Sequence, residues 1–240
     1  MDEQRIREYL NLIEQLLSCP DGEELAILQR NPLLFDEELV AVMLRLAEQM
    51  AEAGDNNAQW LHSFANQIAE AMNGWNQLNQ QVIQLYHQGK FDEAVNFAEQ
   101  ALTLAVEILG EEHPNVATSL NNLAGLYESQ GRFAQAEPLY LEALAMTRKL
   151  LGEEHPDVAT SLNNLAGLYR QQGRFAQAEP LYLEALAMRK KLLDAEHPDV
   201  ATSLNNLAGL YKSQGRFSKA EPLYLEALAM MKKLLGTEHP

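Results

Sequence analysis

Along the second half of the chain, apolar positions recur at helical intervals, and the whole series returns every 42 residues. In one copy Leu162, Leu165, Ala166 and Tyr169 stand at i, i+3, i+4 and i+7, one stripe of a helix. Gln172-Gly173-Arg174 interrupts it, with glycine supplying the turn. A second stripe follows through Phe175, Ala178, Leu181, Tyr182, Ala185 and Leu186, reaching Leu192. The phrase HPDVATSLNNLAGLY occupies 155–169 and again 197–211, and HPNVATSLNNLAGLY occupies 113–127. His-Pro pairs begin at 113, 155, 197 and 239, always 42 residues apart. Blocks 117–158 and 159–200 differ at about six positions, among them 128, 129, 147 and 148. A fainter copy, QGKFDEAVNFAEQAL at 88–102, lies one period before QGRFAQAEPLYLEAL at 130–144. The pattern predicts four helix pairs over about 75–116, 117–158, 159–200 and 201–240, the first divergent. One pair cannot bury both of its stripes, so the pairs must stack.

Residues 1–74 lack the repeat. They read as short helices over about 3–18, 22–30, 36–53 and 57–72, with breaks at Pro20, NPLLFDEEL and EAGDNN. Ile6, Leu10, Ile13 and Leu17 give about two heptads, fewer than the three or four that define a coiled coil. This segment is expected to cap the first repeat. The fold class is all-α, with no sustained two-residue alternation anywhere.

Leu162-x2-Leu165-Ala166-x2-Tyr169 followed by Ala178-x3-Tyr182 resembles the tetratricopeptide pattern, with leucine at its usual first aromatic. The period of 42 rather than 34, and the connecting phrase ALAxxxKLLGxEHPDVATSLNNLAGLY, are similar to the kinesin light chain type of this repeat, and to kinesin-light-chain-like proteins of bacteria, cyanobacteria in particular. The resemblance covers roughly 76–240. It implies a right-handed superhelical solenoid of helix pairs whose first helices line a concave groove, with an extended peptide as ligand. The long N-terminal coiled coil of kinesin light chains is missing, so attachment to a motor is not implied.

At 100° per residue, Thr160, Asn164, Gly167 and Gln171 fall opposite the buried stripe, with Asn163 on the flank. The equivalent rows are Thr118, Asn122 and Gly125, then Thr202, Asn206 and Gly209, with Asn121 and Asn205 flanking. If those rows face the groove, the carboxamides suit a peptide backbone, since they both donate and accept. The glycines would let that backbone come close. Alternatively an asparagine of each pair bonds to the neighbouring repeat and fixes its register. Glu128, Arg170 and Lys212 are equivalent positions that differ in charge. They set a charge gradient along the groove or vary as solvated surface.

The histidines before Pro114, Pro156 and Pro198 fall in different layers, too far apart to share a zinc ion. They are expected at helix starts instead. Pro138, Pro180 and Pro222 are expected to mark a delayed start or a mild kink of each second helix. No phosphate loop or nucleophile elbow is present, and the single cysteine, Cys19, lies near no histidine. No catalytic residue, cofactor or metal is therefore expected.

The formal net charge of −16, concentrated as 14 acidic and 4 basic residues in 1–75, excludes nucleic acid and acidic membrane surfaces as partners. One cysteine and a polar N-terminus fit a cytoplasmic protein. The expected function is a non-enzymatic scaffold binding a protein or peptide. Self-association, or service as the sensor module of a larger signalling enzyme, is the alternative. The stop at GTEHP, inside the repeat phrase, suggests a truncated fragment whose open last helix seeks a contact, a homo-oligomer being one outcome.

Overall fold

The computed structural model describes residues 2–194 and 196–235. Among them are eleven α-helices and no strand. The chain forms two compact units that divide between Ser119 and Leu120.

The first unit opens with α1 (Glu3–Ser18), α2 (Glu24–Gln29) and α3 (Glu37–Glu52). Asp2 and Asp36 start α1 and α3 by accepting backbone N–H bonds from Arg5 and Leu39. Tyr9, Leu12, Ile13 and Leu16 are the buried face of α1, whereas Ile6 and Leu10 are exposed. Of the heptad positions only Ile13 is buried; the packed stripe is rotated from the rest, and α1 packs on α3, where Leu39, Val40 and Met43 are buried.

Next comes α4 (Ala58–His87), a single 30-residue helix. It does not end at 72 as its sequence suggests. Its first half buries Leu61, Ala65, Ile68 and Met72, and its last turns bury Val82 and Leu85. It packs on α3 and on α5 (Phe91–Leu109). Gly74 lies inside it, where an added Cβ would meet Leu104 at 3.5 Å. One glycine costs a helix only about 1 kcal/mol, too little to stop one that is packed at both ends. The N-terminal segment and the first repeat therefore share a helix. They are also joined at the end of α5, where Gln29 Nε2 donates to the carbonyls of Glu107 and Ile108.

The unit boundary falls within α6 (Pro114–Ser129). The second unit continues with α7 (Phe133–Leu151), α8 (Pro156–Gln171), α9 (Phe175–Leu192), α10 (Pro198–Ser213) and α11 (Phe217–Leu235). Each first helix stops at a glycine with positive φ, such as Gly173 at 75°. The next backbone N–H, from Arg174, returns 2.8 Å to the carbonyl of Tyr169 and closes the turn. Within the unit, α8 packs on α7 and α9, and α10 packs on α9 and α11. Alanines 136, 143, 166, 178, 185 and 208 are fully buried, and that lets the helices approach closely.

Pro138, Pro180 and Pro222 do not delay their helices, which begin earlier at Phe133, Phe175 and Phe217. Each proline is exposed, and so are Ala134, Ala176 and Ser218, whose carbonyls lose their helical partner. Water can satisfy those carbonyls, so the break in hydrogen bonding is tolerated.

Candidate functional site

The histidines cap helices. Nδ1 of His113, His155 and His197 accepts the backbone N–H of Asn115, Asp157 and Asp199 at 3.1–3.2 Å. Proline at the first helical position needs no such bond, so the cap serves the next N–H. No metal-binding group of His, Cys, Asp or Glu occurs among the described residues. At Cys19, burial and the nearby Glu24 push the thiol up, away from a reactive thiolate.

His113 is buried, and its Nε2 lies 3.0 Å from the carbonyl of Phe35. With Nδ1 accepting, this fixes the neutral tautomer that donates from Nε2. Burial holds its pKa below the usual histidine value. The unfolded chain therefore takes up the proton first as pH falls, and stability is lost below about pH 6.5. Urea unfolding at about pH 7.5 and about pH 5.5 is expected to show this loss. Replacing His113 with Gln is expected to make the loss smaller, and an unchanged loss would refute the assignment.

The paired asparagines divide their work. Asn163 is 6 % exposed. Its Nδ2 donates to Ser203 Oγ on the next first helix at 3.1 Å and to its own Ala159 carbonyl at 3.0 Å. Its Oδ1 accepts from Asn206 Nδ2 at 3.3 Å. One repeat earlier, Asn121 donates to Ser161 Oγ at 3.3 Å and accepts from Asn164 at 3.4 Å. Asn121 and Asn163, the first asparagines of the first two pairs, thus fix the register of α6, α8 and α10. Asn163, expected among the ligand-facing residues, is withdrawn from that face. Asn121 is half-buried and committed in the same way, whereas Asn205 is exposed.

Asn122, Asn164 and Asn206 are half-buried. Thr118, Thr160 and Thr202 are exposed, and each hydroxyl donates to the carbonyl of the proline four residues earlier. The glycines border the chain's own side chains. A Cβ on Gly125 would meet Tyr140 Oη at 3.4 Å, and one on Gly167 would meet Tyr182 Oη at 3.6 Å. On Gly209 it would lie 3.6 Å from Tyr224 Oη and 2.5 Å from Arg170 Nη1. The chain fills these notches with its own tyrosines and with the long side chain of the preceding repeat.

That arrangement places Glu128 and Arg170 beside one row of tyrosine hydroxyls. Tyr140 Oη donates to Glu128 at 2.7 Å, and Gln171 Nε2 donates to the other carboxylate oxygen. Burial raises the Glu128 pKa, while Tyr140 and Arg170 oppose the rise. Lys212, at the same position in the last repeat, is exposed.

Two features went unread in the sequence. Arg174 lies 4.0 Å from the centre of the Tyr169 ring, and its Nη1 reaches Glu137 of the preceding repeat at 2.6 Å. Arg216 repeats this with Tyr211 and Glu179, at 4.4 Å and 2.7 Å. Glu137 and Glu179 are held below the usual carboxylate range by these arginines. Arginine and glutamate recurring with the same period was the available signal. Arg189 is 5 % exposed and bonds the Asp199 carbonyl, Ser203 Oγ and Thr160 Oγ1 at 3.0 Å each. It stands where the preceding repeat has Thr147, so periodicity could not have announced it.

A family model for the tetratricopeptide repeat matches residues 76–149, 124–191 and 157–233. No curated protein sequence matches the chain. The crystal structure of BtubC (BKLC) from P. vanneervenii is similar at 28 % identity, covering 99 % of this chain and 93 % of that one, with a TM-score of 0.60. A kinesin light chain of Podospora anserina with nearly identical TPR-like repeats shares the fold at 22 % identity over 100 % of both chains, with a TM-score of 0.50. The structural neighbours are thus kinesin-light-chain-like. Such repeats are typically non-catalytic and typically serve protein–protein interaction. No helix among the described residues is long and apolar enough to cross a membrane.

Proposed function

The chain belongs to the tetratricopeptide repeat family, and on that premise we propose that it is a non-enzymatic scaffold binding an extended peptide across the first helices of its second unit. The observation that carries this reading is the row Thr160, Asn164, Thr202 and Asn206. These residues are exposed or half-exposed on consecutive helices, with Arg170 and Lys212 at the ends of the same helices. Asn164 and Asn206 each spend one N–H on the first helix of the preceding repeat, at 3.3–3.4 Å. A carboxamide keeps a second N–H and its oxygen for a peptide backbone. Peptides selected from a random library on the full chain are expected to bind about tenfold more weakly when both asparagines become alanine. The melting temperature should fall somewhat, since Asn121 and Asn163 each lose a donor, so binding is compared where circular dichroism shows both chains folded. Selected peptides indifferent to N164A/N206A and to K212A would overturn the proposal.

Self-association is favoured by a separate observation. Leu228 on α11 is 50 % exposed, whereas its counterpart Leu186 is 8 % exposed. Sedimentation equilibrium decides this reading: a mass that stays monomeric at all concentrations defeats it.

A further inference from the structure

We infer that the first unit holds a second recognition site, a cleft that accepts an arginine side chain from a protein partner. The cleft measures about 330 Å³ and opens where the first turns of α3 and α6 meet the middle of α4. Phe35, Met72 and Trp75 supply its apolar lining, and Asp36, Glu37 and Glu38 its charge. Phe35 and Met72 are buried, whereas Trp75 is half-buried. The Trp75 indole is held in place: its Nε1 donates to Ser119 Oγ at 2.9 Å. Ser119 is the counterpart of the serines that Asn121 and Asn163 engage, so the divergent repeat satisfies the same hydroxyl with an aromatic ring.

The three carboxylates are not alike. Asp36 caps α3, accepts from the Tyr9 hydroxyl at 2.6 Å and pairs with Arg5 at 2.8 Å. Its charge is answered within the chain. Glu37 accepts only a neutral bond, from Asn76 Nδ2 at 3.1 Å. Glu38 lies 3.4 Å from the Tyr9 hydroxyl. Among the described residues neither glutamate has a cationic partner. Two unpaired negative charges beside a fixed indole and an apolar floor complement a flat cation on an apolar stem. Arginine fits this description better than lysine, because its guanidinium both stacks on aromatic rings and forks onto carboxylates. The excess of 14 acidic over 4 basic residues in 1–75 would attract such a partner from a distance.

The chain has two tryptophans, Trp60 and Trp75, so W60F leaves one indole N–H resonance to follow. The probes are capped Gly-Arg-Gly and its lysine and citrulline analogues. The arginine peptide is expected to shift the Trp75 resonance saturably, the lysine peptide less, and the neutral citrulline peptide not at all. E37Q/E38Q should weaken arginine binding by about tenfold or more and leave library peptides on the second unit unaffected. An unmoved resonance, or equal shifts from arginine and citrulline, would overturn the proposal, and both comparisons need only the W60F chain. A folded E37Q/E38Q chain that binds arginine undiminished would overturn it as well.

Discussion

Replacing Tyr182 with alanine is expected to lower stability by about 3–5 kcal/mol, while the same change at Tyr224 should cost less than about 1 kcal/mol. The two tyrosines hold equivalent positions in consecutive repeats, within the identical phrase AEPLYLEALAM. Tyr182 is 1 % exposed on α9, whereas Tyr224 is 37 % exposed on α11. Truncating a covered ring leaves a cavity that rigid neighbours cannot collapse into. Truncating a half-open ring leaves a dent that water fills. Neither hydroxyl alters the comparison much, since each lies near the glycine of its own repeat. Urea unfolding of the two variants side by side is the measurement. Equal losses would mean that α11 is as well covered in solution as α9.

Asn163→Ala is expected to cost about 1–3 kcal/mol, and Asn205→Ala no more than about 0.5 kcal/mol. Again one chemical group sits in two environments. The Asn163 carboxamide is buried, donates to Ser203 and Ala159, and accepts from Asn206. Removing it strands a donor on Asn206 and takes one of two donors from Ser203, where Arg189 remains. Asn205 is exposed, so water replaces whatever it loses. Thermal melts of both variants check the difference, and a silent Asn163→Ala would return the pair to a purely ligand-facing role.

The sequence announced the stacking through periodicity, because burial requires the same small and large positions in every layer. Helices 3–18 and 36–53 were legible from the breaks at Pro20, NPLLFDEEL and EAGDNN, whereas the caps that start them, Asp2 and Asp36, came from the structure. The end of α4 was not legible. A single glycine looks like punctuation locally, yet packing on α3 and α5 carries the helix through it. The candidate site was half legible. Helical geometry separated Asn164 from Asn163 but could not tell that the flank lay against Ser203, 40 residues on. A missing side chain marks close approach, and among the chain's own groups Tyr140, Tyr182 and Arg170 come near these glycines. The cleft at Trp75 draws its lining from segments far apart in sequence, most of them outside the regular repeats, so no period pointed to it.

The asparagine joints also bear on how such a chain changes over generations. The middle first helix, α8, carries both halves of the joint: Ser161 and Asn164 facing back, Asn163 facing forward. Deleting residues 155–196 would bring Asn121 against Ser203 and Asn206 against Asn121, and Glu137 against Arg216, the same pairings as before. Duplicating the segment would insert one more identical link. In both products these joints would keep their partners. The number of links can therefore drift by whole units, while a gain or loss of any other length disturbs the joint in which it falls.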